Sequence, residues 1–184
     1  VDAAAIIVRS ETKVTPEVLA VAKELKVVGR AGVGVDNIDI EAATEAGVIV
    51  MNTPTGNTVS TAEHAFALML ATARNIAPAH AEVLQGNFKA ARKAFAGIEL
   101  NGKRLAVIGM GRIGSEFVRR AQGFNMKVVA FDPFLSQARA DELKIELAES
   151  PDAALTGADV VTLHVPLTDD TQHIINSERL TLMN

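Results

Sequence analysis

The chain has 184 residues, 48% of them hydrophobic, which is enough for one large domain or two small ones with packed cores. Its formal net charge is −4 and its lysines and arginines are scattered, so neither nucleic acid nor an anionic membrane is expected as a partner. Cysteine is absent, which excludes a disulfide framework and a thiol nucleophile and agrees with a reducing, cytoplasmic location.

The first part of the chain alternates strands with helices. Apolar runs predict strands at residues 4–8, 27–30 and 48–51. Helices are predicted to begin at Thr15 and Asp39, between these strands. Continuous apolar strands separated by helices are typical of α/β proteins, in which helices cover both faces of a parallel sheet.

A longer helix is predicted to follow the third strand. Ser60 and Glu63 form an S-x-x-E capping box, in which the serine caps the helix and the glutamate reaches back to it. Small and apolar residues then continue through about Ala73 and, after an interruption, towards Gln85. Glu63 is therefore expected to have a structural role.

The polar, aromatic-poor segment 86–102 predicts a domain junction. We therefore expect one domain, with its connecting long helix, at residues 1–85. A second domain is expected at residues 86–184.

The second part again alternates strands and helices. The predicted elements, in chain order, are a strand at 104–108, a helix from Arg112, a strand at 127–131, helices from Ser136 and Ser150, a strand at 159–165 and a helix from about Ser177. Three parallel strands correspond to the first half of a doubly wound, dinucleotide-binding fold.

A glycine-rich turn joins the strand at 104–108 to the helix that follows it. Gly109, Gly111 and Gly114 form a G-x-G-x-x-G pattern, which suits a tight turn, close approach of a pyrophosphate and close packing of the helix. The helix N-terminus would then face the phosphates with its N–H groups. The pattern predicts a dinucleotide site, although three glycines alone also suit an ordinary turn.

Asp132 strengthens this interpretation. It ends the next strand, eighteen residues after Gly114, where a Rossmann unit places the carboxylate that accepts hydrogen bonds from the adenine ribose. A carboxylate there repels a 2′-phosphate, so NAD is expected rather than NADP. The alternative is that Asp132 caps a turn before Pro133.

Beyond these single motifs, the sequence resembles the D-isomer-specific 2-hydroxyacid dehydrogenase family over nearly its whole length. The stretches that carry the resemblance are IIVRSETKV (6–14), VVGRAGVGVDNID (27–39), GVIVMNTPTGNTVSTAEHA (47–65), ELNGKRLAVIGMGRIG (99–114), FDPFLS (131–136) and LHVPLTDDT (163–171). The resemblance implies an α/β protein with a flavodoxin-like substrate domain, present in part, followed by the first half of a Rossmann NAD-binding domain. It also implies an oxidoreductase of amino-acid biosynthesis, which oxidises 3-phosphoglycerate to 3-phosphohydroxypyruvate on the route to serine.

The family catalyses its reaction with an arginine and a histidine that a glutamate orients. By resemblance we expect these three residues to lie beyond Asn184, so no catalytic residue is assigned within the sequence. We therefore expect the chain to be a fragment, inactive by itself.

The resemblance assigns two groups of residues to binding. The predicted substrate residues are Arg9, Arg30, Val33 and Gly34, the arginines for a phosphate and the loop for a carboxylate. The predicted cofactor residues are Gly109, Gly111, Arg112, Ile113, Gly114, Asp132, His164, Val165 and Pro166. Solvated arginines, a plain turn at residues 33–34 and a buried structural histidine are the alternatives, and the remaining histidines show no metal-ligand spacing.

The helix from Ser60 resembles the family's dimer-forming helix, so a homodimer or larger homo-oligomer is expected. Two other functions remain open. One is a related dehydrogenase acting on glyoxylate, hydroxypyruvate or another 2-hydroxy acid. The other is a non-catalytic module that senses NAD.

Overall fold

The computed structural model describes residues 2–184 and divides into two compact units, one ending at Thr58 and one spanning Val59–Asn184. The first unit contains, in order, β1 (Ala5–Val8), α1 (Pro16–Val21), β2 (Val27–Arg30), α2 (Ile40–Glu45) and β3 (Ile49–Asn52). Its strands are parallel in the order β1-β2-β3, with Val8 beside Arg30 and Arg30 beside Asn52. The carboxyl ends of the three strands are therefore level at one edge of the sheet.

Among the described residues, helices cover only one face of this sheet. Val8 and Val28 are buried on that face, where they pack with Leu19 of α1 and Ala43 of α2. On the opposite face Ile7 is 82% exposed, since strand side chains alternate between the two faces. The expectation that helices cover both faces is therefore wrong for the described part of this sheet.

The second unit is larger and contains four strands. Its elements are α3 (Thr58–Ala73), α4 (Ile76–Leu84), α5 (Phe88–Ala94), β4 (Arg104–Ile108), α6 (Arg112–Gly123), β5 (Lys127–Phe131), α7 (Gln137–Leu143), β6 (Glu146–Leu147), α8 (Pro151–Leu155), β7 (Val160–Leu163) and α9 (Ser177–Leu180). All strands are parallel, in the order β6-β5-β4-β7.

This order corrects the prediction of three strands. β6 has only two residues, too few to produce a periodic pattern, and was missed. β5 and β6 lie on one side of β4, and β7 lies on the other. The strand order therefore reverses between β4 and β7. In open α/β sheets such a reversal opens a crevice at the carboxyl ends of the strands, where ligands bind.

The core of the second unit lies on both faces of β4. Val107 packs with Phe66 and Phe117 on one face, and Ile108 packs with Leu155 on the other. All of these side chains are buried. A strand buried on both faces reads as a continuous apolar run, which is why residues 104–108 were predicted correctly from the sequence.

The long helix α3 belongs to the second unit rather than the first. Its Phe66 ring lies 5.4 Å from the ring of Phe117 and 5.0 Å from that of Phe124, measured between centroids. The compact division therefore falls at residues 58 and 59, whereas the predicted boundary followed residue 85. The segment 86–102 contains α5, which its polar composition concealed.

The predicted capping box is also wrong. α3 begins at Thr58, so Ser60 lies inside its first turn instead of preceding it. Glu63 pairs with α6, since its Oε1 accepts a hydrogen bond from Arg120 Nη2 at 3.0 Å. The predicted cap at Ser150 is confirmed, because its hydroxyl accepts from the Ala153 N–H.

Among the described residues, no helix has the length and apolar character needed to span a membrane.

Candidate dinucleotide-binding site

A cleft of about 570 Å³ lies where the carboxyl ends of β4, β5 and β7 meet. This is the edge at which the strand order reverses. The lining residues are Ile108, Gly109, Gly111, Phe131, Asp132, Pro133, Phe134, Pro151, His164, Val165, Pro166, Thr168, Asp170, Thr171, Ile174 and Arg179. Six of the nine predicted cofactor residues are therefore in the lining, namely Gly109, Gly111, Asp132, His164, Val165 and Pro166.

Two glycines of the turn are required by the protein's own packing. Gly109 has a φ of +96°, and a Cβ there would lie 2.6 Å from the His164 carbonyl oxygen. A Cβ on Gly114 would lie 2.2 Å from the Gly109 carbonyl oxygen. Any larger residue at either position would push the turn away from β7 or from α6.

Gly111 is different, because no steric contact among the described residues requires a glycine there. Its φ is −64°, which any residue adopts, and a Cβ would meet no atom within 4 Å. It is the N-cap of α6 and lines the cleft, whereas α7 and α8 are capped by the side chains of Ser136 and Ser150. A helix N-terminus that faces open space without a side chain offers room and partial positive charge to an anion such as a pyrophosphate.

The Asp132 carboxylate is held by two backbone amides. Its Oδ2 accepts a hydrogen bond from the Met110 N–H at 2.7 Å, and its Oδ1 accepts one from the Phe134 N–H at 2.8 Å. Asp132 is therefore a turn cap, the alternative recognised from the sequence, and it also lines the cleft. Each carboxylate oxygen has a second lone pair, so the group can still accept hydrogen bonds from two ribose hydroxyls.

His164 follows β7 and lies directly against the glycine turn. Its Nε2 is 3.1 Å from the Thr162 hydroxyl, and its ring centroid is 5.1 Å from that of Phe117. Burial lowers the pKa of His164, so the imidazole is neutral at pH 7. The residue is half-buried and hydrogen-bonded, as its structural alternative expects, and it lies at the cleft surface. Its contact with a cofactor stays a prediction.

Three predicted cofactor residues are outside the lining. The Arg112 side chain is exposed, Ile113 packs against the hydrophobic core of the second unit, and Gly114 is buried. All three belong to the first turn of α6. Direct contact between the Arg112 side chain and a cofactor stays a prediction.

The sequence analysis missed several lining residues. Phe134 is 95% exposed, and no pattern distinguishes it from a surface aromatic. The Thr171 hydroxyl donates to the Pro166 carbonyl at 2.6 Å and accepts from the Thr168 N–H at 2.8 Å, which shapes the loop after β7. Arg179 reaches the cleft from α9, far along the chain, and only the fold brings it there.

The predicted phosphate-binding arginines lie at the ends of neighbouring strands in the first unit. Arg30 ends β2, and its Nη2 donates to the Ser10 hydroxyl at 3.0 Å. Arg9 directly follows β1 and is exposed. Asn37, which the sequence analysis passed over, is buried and donates through Nδ2 to the carbonyl oxygens of Arg9 and Thr12 at 3.0 and 2.6 Å.

The predicted carboxylate loop follows β2. The Val33 carbonyl accepts a hydrogen bond from Asn52 Nδ2 at 2.6 Å, which ties the loop to the end of β3. Gly34 is exposed, and a Cβ there would lie 2.7 Å from Asp36 Oδ1, the end of a flexible side chain. The loop is thus ordered by hydrogen bonding, and its role in substrate binding remains a prediction.

Within residues 2–184, no three His, Asp or Glu side chains are grouped so as to hold a metal ion.

Residues 66–184, more than half of the chain, match the model of the NAD binding domain of D-isomer specific 2-hydroxyacid dehydrogenases. The chain belongs to this family. The match covers the cleft and α6, so the residues that form the cleft are part of an NAD-binding domain.

Curated relatives match almost the entire chain. D-3-phosphoglycerate dehydrogenase from Methanocaldococcus jannaschii is 50% identical over 182 residues, which are 99% of this chain and 34% of that protein. The protein of the same name from Archaeoglobus fulgidus is 53% identical over 171 residues, 93% of this chain and 32% of the relative. The chain spans about a third of the length of these relatives.

Solved structures agree with the fold. D-lactate dehydrogenase from Aquifex aeolicus, determined with NAD and lactic acid, is 34% identical with a TM-score of 0.85, covering 98% of this chain and 54% of that one. A formate dehydrogenase from Granulicella is 31% identical with a TM-score of 0.88, covering 99% and 49% of the two chains. Parallel α/β architecture with a Rossmann-type second unit is therefore established for this chain.

Proposed function

We propose that the protein is an NAD-dependent dehydrogenase that oxidises 3-phosphoglycerate to 3-phosphohydroxypyruvate in serine biosynthesis. The second unit would hold NAD, and the first unit would form part of the substrate domain. The observation that carries the proposal is the open position at Gly111, beside Asp132, in a cleft that the NAD-binding family model covers. The names of the curated relatives support the choice of substrate.

The reaction transfers a hydride from the hydroxyl-bearing carbon to NAD and a proton from that hydroxyl to a base. The described residues would contribute binding and orientation. The N-terminus of α6 would hold the pyrophosphate, Asp132 the adenine ribose, and Val165 and Pro166 one wall of the cleft. We assign proton transfer to none of residues 2–184.

Arg9 and Arg30 would bind the substrate phosphate. Two guanidinium groups at neighbouring strand ends suit a dianion, and Ser10 already orients that of Arg30. The phosphate is remote from the reacting carbon, so this contact would serve to position the substrate.

The substrate assignment is tested in the protein that carries this chain. Arg30→Ala should lower kcat/KM for 3-phosphoglycerate by on the order of tenfold to several hundredfold, the range expected for a charge-assisted contact. Unphosphorylated 2-hydroxy acids should be nearly unaffected, and Arg119→Ala, an exposed arginine on α6, is the matched control.

Equal losses for both substrate types would mean that Arg30 only supports the loops through Ser10 and Asn37, to whose side chains it donates. In that case a related 2-hydroxy-acid dehydrogenase becomes the better assignment. The similarity to D-lactate dehydrogenase favours this second candidate over a non-catalytic NAD-sensing module.

We also propose that the protein forms a homodimer or larger homo-oligomer and acts in the cytoplasm. The support for assembly is the apolar surface of α3 to α5, where the exposed residues are Leu68, Ile76, Val83, Leu84 and Phe88. The cytoplasmic location is supported by the absence of cysteine from the sequence.

A further inference from the structure

Met110, the middle residue of the glycine turn, is anchored at three points. Its side chain is buried in the core of the second unit. Its N–H donates to Asp132 Oδ2 at 2.7 Å, and its carbonyl oxygen accepts from the Ser115 hydroxyl at 3.2 Å. The Met110 backbone is thus held from β5 on one side and from α6 on the other.

The Ser115 hydroxyl bond is not needed to form the helix. Ser115 lies in the first turn of α6, and its own N–H already makes the regular helical bond to the Gly111 carbonyl at 3.0 Å. Its hydroxyl reaches one residue further back, to a carbonyl outside the helix. This extra bond ties the turn to the helix, across Gly111.

Resting on the proposed function, we propose that Ser115 is a positioning residue for NAD, which together with Asp132 fixes the Gly109–Gly111 turn before the cofactor binds. The turn contains two glycines, which lose more backbone freedom on ordering than other residues do. If that freedom is already lost in the free protein, binding does not have to remove it, and affinity rises. Ser115 does not line the cleft, so it acts through Met110 and Gly111.

The test compares variants of the 184-residue chain by calorimetric titration with NAD. Ser115→Ala should weaken NAD binding by about threefold to tenfold, the effect of one hydrogen bond. Ser115→Thr keeps a hydroxyl and should retain the affinity. Ser136→Ala is the matched control, since it removes a serine hydroxyl bond at the start of α7, outside the cleft.

Adenosine separates positioning from general damage. It has no phosphate for the turn to hold and meets the turn only through Asp132, so its binding should fall by less in Ser115→Ala than that of NAD. Equal loss of adenosine and NAD, unchanged NAD affinity in Ser115→Ala, or equal NAD losses in Ser115→Thr and Ser115→Ala would each overturn the proposal.

Amide hydrogen exchange tests the anchoring without the cofactor. The Met110 N–H should exchange faster in Ser115→Ala than in the wild type, because the turn opens more often. Unchanged exchange would overturn the inference even where NAD binds. If the wild type does not bind NAD, the proposed function is rejected. The exchange measurement then still shows whether Ser115 fixes the turn in the free protein.

Discussion

At the scale of single residues, the three glycines of the turn are explained by different physical reasons. Gly109 and Gly114 avoid collisions with the backbone at His164 and at Gly109 itself. A Cβ on Gly111 would meet no atom of the described residues within 4 Å. The sequence pattern predicts all three equally, because it records spacing and not the atoms that each residue would meet.

This difference gives a paired prediction. Gly114→Ala should lower the free energy of unfolding by about 1–3 kcal/mol, as an overpacked site does, because its Cβ would overlap the Gly109 carbonyl. Gly111→Ala should lower the free energy of unfolding by no more than about 1 kcal/mol, the cost of alanine at an N-cap, but weaken NAD binding by on the order of tenfold, since the methyl group enters the space of the pyrophosphate. Urea unfolding and calorimetry measure the two effects. Normal NAD affinity in a folded Gly111→Ala chain would contradict the site.

His164 predicts a pH dependence of stability. Burial lowers its pKa in the folded chain, so between that lowered value and the ordinary value of about 6.5 the unfolded chain binds more protons. The free energy of unfolding should therefore decrease as the pH falls from 7.5 to 5.5. His164→Gln should show a smaller decrease, and His80→Gln, at an exposed position, should match the wild type. Equal slopes in all three would show that His164 does not contribute.

At the scale of elements, the sequence predicted a strand correctly where its apolar run was long and was followed directly by a turn. β4 and β5 were predicted with the correct bounds, because each is a continuous apolar run that a turn terminates. β6 has only two residues, too few to show a pattern of apolar side chains. The Ser60 capping box failed because α3 begins before it, at Thr58, directly after Asn57. Asparagine is also a preferred N-cap residue, so the sequence offered two possible starts.

The compact division after residue 58 places α3 in the second unit, where its buried residues are Ala62 and Phe66. Phe66→Ala should lower the free energy of unfolding of the second unit by about 3–5 kcal/mol, since its ring is buried against two aromatic rings. Leu68→Ala, in the same helix and 55% exposed, should have an effect below about 1 kcal/mol. Urea unfolding measures both. Similar small effects would place α3 outside the core of this unit.

At the scale of the whole molecule, parallel topology made much of the site predictable. Strand ends of a parallel sheet meet at one edge, so Gly109, Asp132 and His164 could be expected together. Arg179 could not, because its position depends on how α9 packs after β7. The arginines of the first unit could be placed at strand ends, but not the buried Asn37 that organises their loops.

The exposed apolar side chains of α3 to α5 predict self-association. The wild type should sediment as a dimer or larger species at high micromolar concentration, since burying such surface is favourable. Leu84→Glu, at a residue 75% exposed, should shift the chain towards monomer. Leu167→Glu, at a residue 83% exposed in the loop after β7, is the control and should not. A monomeric wild type at that concentration would contradict the assembly.

The central claim, that the cleft binds NAD and selects it over NADP, is tested most directly by titrating both cofactors into the chain and into Asp132→Ala. The wild type should bind NAD more tightly than NADP. In Asp132→Ala the affinity for NAD should fall by about 1.5–3 kcal/mol and NADP should gain relative to NAD, because the variant loses hydrogen bonds to a charged group and its repulsion of the 2′-phosphate. Equal affinity of the wild type for the two cofactors, or unchanged NAD affinity in the variant, would contradict the account.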